Sequence, residues 1–221
     1  MNSSYQETMA AVAGINALFQ TDLRVMQILC ACQTPVNFQN WVMTVPRVIC
    51  NLALIGFMGT GKSSVGRTVA DCLHFTFLDT DHVIEARAGK TIRDIFDQDG
   101  EQVFRDWESR IVGELTHRSK TVISTGGGLP TREANLASLK THALVVCLWA
   151  SSEAIYERVR DHSHRPLLND ADPLAKIRDL LAVREAFYRQ ADVLVNTEMR
   201  SIREVAMQVL HHFHMAQAAH T

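Results

Sequence analysis

The chain has 221 residues, 47% of them hydrophobic, and a formal net charge of −2. That is room for one large domain, or a domain plus an extension, with ample apolar residue for a core. No basic field points to nucleic acid, and no apolar run approaches the length of a membrane span.

The five cysteines are Cys30, Cys32, Cys50, Cys72 and Cys147. Their odd number, with two inside apolar strand-like runs, suggests reduced core thiols in a cytosolic protein. Cys30 and Cys32 form a C-x-C pair, but no second pair completes a tetrahedral metal site. The N-terminus carries Glu7 and no early Lys or Arg, so it lacks the charged start of a signal peptide.

Residues 1–46 admit three readings. Met9, Val12, Ile15, Leu18, Phe19, Leu23, Met26 and Leu29 suit an amphipathic helix, and Gln33 to Asn37 reads as a breaker. The segment is a helical extension, a partner-binding arm, or translated sequence upstream of a true start near Met43. It is assigned no chemistry.

Arg47 to Thr68 reads RVICNLALIGFMGTGKSSVGRT. The apolar run from Val48 to Ile55, broken by Asn51, predicts a strand buried on both faces. Gly56, Gly59, Gly61, Lys62 and Ser63 satisfy the spacing G-x-x-x-x-G-K-[ST]. Val65, Val69, Cys72 and Leu73 then recur at helical spacing. A polyphosphate must lie against backbone N–H groups, and glycines permit that approach. The following helix points its positive end at the anion. Lys62 adds a cation for the terminal phosphates, and the Ser63 hydroxyl is suited to Mg²⁺.

Further along, Phe75 to Asp79 predicts a second strand, with a helix over His82 to Ala88. Lys90-Thr91 caps a short helix over Ile92 to Asp97. Gly100 leads into a long helix to about Arg118, striped by Phe104, Trp107, Ile111 and Leu115. Thr121 to Ser124 is a third strand, ended by Gly126-Gly127-Gly128. Thr131 is expected to cap a helix to about Lys140. Ala143 to Trp149 is a fourth strand, and Ser152 is expected to cap the next helix. Residues 161–172 read as a polar flap. Pro173 opens a helix to about Arg189, Asp192 to Asn196 is a fifth strand, and a last helix starts near Ser201. Alternation of strands and helices implies a parallel sheet covered on both faces, with ligands at the carboxyl ends of the strands.

Several polar features fall at such ends or on the helices leaving them. Asp79 is placed to hold Mg²⁺ through water and Asp81 to orient or deprotonate a hydroxyl, although both residues also suit helix capping. Three glycines after a strand suit close backbone approach to a ligand or a plain surface turn. Arg105 is four residues from Glu101, as in a solvated ion pair. Arg165 precedes Pro166 in the flap. Arg184 stands late in its helix, where a cation suits the dipole in any case.

Together these marks resemble the shikimate kinase family of P-loop small-molecule kinases. They are GFMGTGKSS from Gly56 to Ser64, Asp79-Thr80-Asp81, FRDWE from Phe104 to Glu108, Gly126 to Gly128, RPLL from Arg165 to Leu168, and REAFY from Arg184 to Tyr188. The resemblance spans Asn51 to about His212. It implies an α/β P-loop NTPase sandwich, with a five-stranded parallel sheet and a flap, over residues 47–215, followed by a tail at 216–221.

It also implies transfer of the γ-phosphate of ATP to the 3-hydroxyl of shikimate, on the way to chorismate and the aromatic amino acids. Gly59, Thr60, Gly61, Lys62, Ser63 and Ser64 would cradle ATP. Ser63 and Asp79 would serve Mg²⁺, and Asp81 would bind the acceptor hydroxyl. Arg105 and Arg184 would pair with the substrate carboxylate, with Gly127 and Gly128 lining the ring. Arg165 would close onto the phosphates, and Arg158 or Arg160 would approach adenine. The expected protein is a cytoplasmic monomer without nucleic-acid or membrane partners.

Pro130 departs from the family's pattern. His162 and His164 in the flap suggest pH-sensitive closure. The rival readings are a kinase of another hydroxy acid such as gluconate, a GTPase-type switch, and a relative that binds without turnover. The chain has no Asn-Lys-x-Asp guanine-reading motif, which counts against the switch.

Overall fold

The computed structural model describes residues 47–160 and 172–218. The readings placed on residues 1–46, and on the flap with His162, His164 and Arg165, lie outside those residues. Five parallel strands form one sheet, β1 (Asn51–Ile55), β2 (Thr76–Asp79), β3 (Thr121–Ser124), β4 (Ala143–Trp149) and β5 (Val193–Asn196). Their spatial order is β2-β3-β1-β4-β5. Strand order reverses at β1, which pairs with β3 on one side and β4 on the other. Ligands of open α/β sheets gather at the carboxyl end of such a reversal.

The helices are α1 (Lys62–Leu73), α2 (Thr80–Ala88), α3 (Ile92–Asp94), α4 (Glu101–Leu115), α5 (Glu133–His142), α6 (Ser152–Val159), α7 (Pro173–Tyr188) and α8 (Ile202–Ala218). β1 shows why they cover both faces. Its residues are all buried. Leu52 and Leu54 pack into one apolar cluster with Val65, Val69, Val209 and Phe213. Ala53 and Ile55 pack into the other with Ile111, Leu115, Ile155 and Tyr188. Period-two alternation thus feeds two cores from one strand. α8 runs to Ala218, past the boundary expected at residue 215.

Several local expectations are corrected. β1 starts at Asn51, where the ladder with β4 begins, and Val48 is exposed. α2 starts at Thr80, not His82, because the Asp79 side chain accepts from Asp81 N and caps it. The helix expected over Ile92–Asp97 stops at Asp94 and widens into a π-turn over Ile95–Asp99. Gly100, at φ 89°, closes that turn by donating to Ile95 O.

α4 ends at Leu115, and beyond it the Arg118 carbonyl accepts from Asn51 Nδ2 instead of continuing the helix. Thr131 does not cap α5. It ends a 3-10 turn over Leu129–Thr131, and its hydroxyl donates to Gly128 O. Pro130 sits buried in that turn, where its fixed φ is tolerated. Ser151, not Ser152, caps α6 through its side-chain oxygen.

Candidate active site

The loop after β1 takes the shape its glycines permit. Gly56, Gly59 and Gly61 lie at φ 132°, 75° and 90°. A Cβ at Gly56 would overlap the Leu148 carbonyl, and one at Gly59 would come within 2.7 Å of Val159 Cγ1. Neither residue can be replaced without strain. Phe57 O accepts from Thr60 Oγ1 at 2.8 Å and from Lys62 Nζ at 2.9 Å. Gly61 is the N-cap of α1, with no side chain over the helix's first N–H groups.

Beside this loop, Gly59, Thr60, Gly61 and Ser64 line a cleft of about 240 Å³ with Arg158, Thr197, Arg200 and Ile202. Arg158 is anchored by donating to Thr197 O and Thr197 Oγ1. Arg160 pairs instead with Glu157 on the surface. Of the two arginines considered for the adenine side, Arg158 is therefore the one at the cleft.

On the other side of the loop, Ser63 Oγ donates to Asp79 Oδ2 at 2.8 Å and lies 3.3 Å from Ser124 Oγ. Asp79 Oδ1 meanwhile accepts from Asp81 N. One oxygen of Asp79 thus caps the helix, and the other faces the Ser63 hydroxyl.

The three glycines after β3 gather the remaining candidates. A Cβ at Gly126 would lie 2.7 Å from Asp81 Oδ1 and 2.9 Å from Glu108 Oε1. At Gly127 it would lie 3.6 Å from Arg184 Nη1, and at Gly128 it would overlap the Arg105 guanidinium. Asp81, Arg184 and Arg105, from α2, α7 and α4, thus meet consecutive residues of one loop. Hydroxyls hold the loop in place. Gly126 N donates to Thr80 Oγ1 at 3.0 Å, Tyr188 donates to Gly127 O at 2.6 Å, and Thr131 donates to Gly128 O at 2.7 Å.

Arg105 does pair with Glu101 four residues back, at 2.9 Å, but its side chain is only 13% exposed. Its other partner is Glu108, at 2.7 Å. Glu108 is fully buried and had no role in the sequence reading. The only signal was its three-residue spacing from Arg105, which any exposed helix also shows. Arg132, likewise unassigned, donates through Nη1 to Arg105 O, Asp106 Oδ1 and Ser109 Oγ. It ties the segment after the glycines to α4.

Burial, with Asp79 beside it, raises the Asp81 pKa to about 6. Burial raises Glu108 to about 7 despite the Arg105 guanidinium. Asp81 Oδ1 and Glu108 Oε1 are enclosed and have no hydrogen-bond partner among the described residues. Enclosed acceptors beside two guanidinium groups suit a ligand bearing both hydroxyl donors and an anionic group.

The chain is similar to known proteins over the region that carries this assembly. The shikimate kinase family model matches residues 58–214. A shikimate kinase from Thermodesulfovibrio yellowstonii is 42% identical over 160 residues, covering 72% of this chain and 92% of that one. One from Thiobacillus denitrificans is 46% identical over 153 residues, covering 69% and 84%. Among solved structures, shikimate kinase from Acinetobacter baumannii in complex with shikimate aligns with TM-score 0.72 and 38% identity, covering 76% of this chain and 95% of that one. A gluconokinase from Sinorhizobium meliloti aligns with TM-score 0.52 at 18% identity, a likeness of fold alone. With matches of that extent on both sequence and structure, this chain belongs to the shikimate kinase family.

Proposed function

We propose that this protein transfers the γ-phosphate of ATP to the 3-hydroxyl of shikimate, giving shikimate 3-phosphate and ADP. The observation that carries the reading is the meeting of Asp81, Arg184 and Arg105 on consecutive glycines beside the phosphate loop. Two guanidinium groups pair with a planar carboxylate through fork-like hydrogen bonds. Asp81 accepts from the ring hydroxyls and orients the acceptor oxygen. Because the transition state of phosphoryl transfer is loose, Asp81 orients more than it deprotonates.

On the nucleotide side, Gly59 to Ser64 receive the phosphates against backbone N–H groups, and Lys62 follows the terminal phosphates. Arg158 borders the cleft on the base side. Arg165 keeps its proposed role of closing onto the phosphates. Mg²⁺ fits the donors present: the hydroxyl of Ser63 and the carboxylate of Asp79, 2.8 Å apart, are hard oxygen ligands. Ser63 and Asp79 would hold the ion, which would supply positive charge against the phosphates.

Among the described residues no helix is long and apolar enough to cross a membrane. A step in aromatic amino-acid biosynthesis follows from the family. The test is ADP release by the full chain with shikimate and, separately, with gluconate. Shikimate-dependent turnover at least ~100-fold above that with gluconate is expected. Turnover with gluconate alone would replace this reading by the sugar-acid alternative.

A further inference from the structure

The two arginines proposed for the carboxylate are held by unlike means. The Arg105 guanidinium is set by carboxylates, Glu101 at 2.9 Å and Glu108 at 2.7 Å. Arg184 has no carboxylate within ion-pair distance among the described residues. Its surroundings are the Phe57 ring, with centroid 5.5 Å from its Cζ, the Gly127 backbone, and the Tyr188 hydroxyl one helical turn on. Tyr188 is the last residue of α7 and is buried. Its hydroxyl donates to Gly127 O at 2.6 Å. A buried phenol needs such a partner, and a phenylalanine would fill the same apolar space without one.

From this contrast we infer that Tyr188 is a positioning residue: its hydroxyl pins the end of α7 to the middle glycine and thereby fixes where Arg184 meets the substrate carboxylate. The inference rests on the proposed function. Without the hydroxyl, α7 keeps its apolar packing, but the Arg184 guanidinium loses its fixed neighbour. Substrate affinity therefore suffers, and the nucleotide side, built on other elements, does not.

The experiment is a double-mutant cycle of Y188F and R184A in the full chain, read as kcat/KM at subsaturating shikimate, with KM for ATP measured alongside. In the wild-type background Y188F is expected to cost roughly tenfold in kcat/KM, mostly through KM for shikimate, with KM for ATP within about twofold. In the R184A background the same substitution is expected to cost less than about threefold, because its effect passes through Arg184.

A Y188F enzyme within twofold of wild type overturns the inference, as does a full tenfold loss that persists without Arg184. If Y188F does not fold by circular dichroism, Y188L, which also lacks a donor, enters the same cycle under the same criteria. Failure of the functional reading looks different: the wild-type protein itself then shows no shikimate-dependent turnover, and the inference falls with it.

Discussion

The sheet buries polar groups at both ends, and the groups left unmatched differ in kind. At the amino end Asn51 is fully enclosed, and its amide is matched atom by atom. Oδ1 accepts from Thr121 N at 2.9 Å, Nδ2 donates to Arg118 O at 2.7 Å, and Nδ2 meets His142 Nδ1 at 2.9 Å. At the carboxyl end Asp81 and Glu108 each keep an enclosed oxygen without a partner among the described residues, and both oxygens abut Gly126. A matched buried group fixes strand register and loop path. Unmatched acceptors lower stability and are kept where a ligand supplies the donors. Leftover valence alone does not distinguish the two ends, since His142 Nε2 and Arg47 Nε at the amino end are also enclosed without a partner among the described residues. What marks the carboxyl end is that its unmatched atoms are carboxylate oxygens against the glycine loop.

Substitutions at the two ends should therefore separate activity from stability. The largest effect is expected for Asp81→Asn. Turnover should fall by about 10³-fold or more, while ATP affinity, read by calorimetry, stays within about twofold. The melting temperature should hold or rise, since a buried carboxylate is removed. A drop in melting temperature with turnover retained would erase the contrast.

The converse is Asn51→Ala, which orphans Thr121 N and the Arg118 carbonyl. It should cost roughly 2–4 kcal/mol in denaturant unfolding, with kcat at 25 °C within about twofold of wild type.

Glu108 gives a pH signature opposite in sign to that of the amino end, where burial lowers the His142 pKa. Its pKa of about 7 in the fold lies above its ordinary 4.5. The native protein thus binds this proton more tightly than the unfolded chain. Its contribution is complete below the ordinary value and is lost as pH rises from 4.5 toward 7. Glu108→Gln should flatten that fall by on the order of 3 kcal/mol, measured as unfolding free energy against pH. A slope equal to that of wild type would show that Glu108 titrates normally.

The smallest effect is expected at Arg132, which lies near the site and whose side chain donates its hydrogen bonds to α4. Arg132→Met should lower kcat/KM for shikimate by less than about fivefold and stability by about 1 kcal/mol.

Much of this was readable before the structure because some of it is local. The phosphate loop is contiguous, and its glycines, lysine and serine stand in the order strand, turn, helix. Asp79 ends a strand, and Thr125 to Gly128 follow another, so both were assignable to the carboxyl edge. Caps were less legible. Ser151 and Ser152 are chemically alike, and only the path of the chain leaving β4 selects the first. Thr131 had a capping residue's chemistry, yet a glycine carbonyl beside it took the hydroxyl. The π-turn before α4 had no sequence signature beyond Gly100.

By itself the sequence determined the family, the alternation of strands and helices, and the phosphate loop, because these depend on residue order and on backbone freedom at single glycines. The tertiary structure decided what Arg105, Glu108, Arg184 and Tyr188 do. Spacing along a helix says which residues share a face, not whether that face meets water or a loop from another part of the chain. Glu101 and Glu108 stand at equally ordinary helical distances from Arg105. Only the packing of α4 against the glycine loop leaves one exposed and the other buried with an acceptor unused. Burial sets the strength of an ionic contact, and burial is a property of the assembled fold.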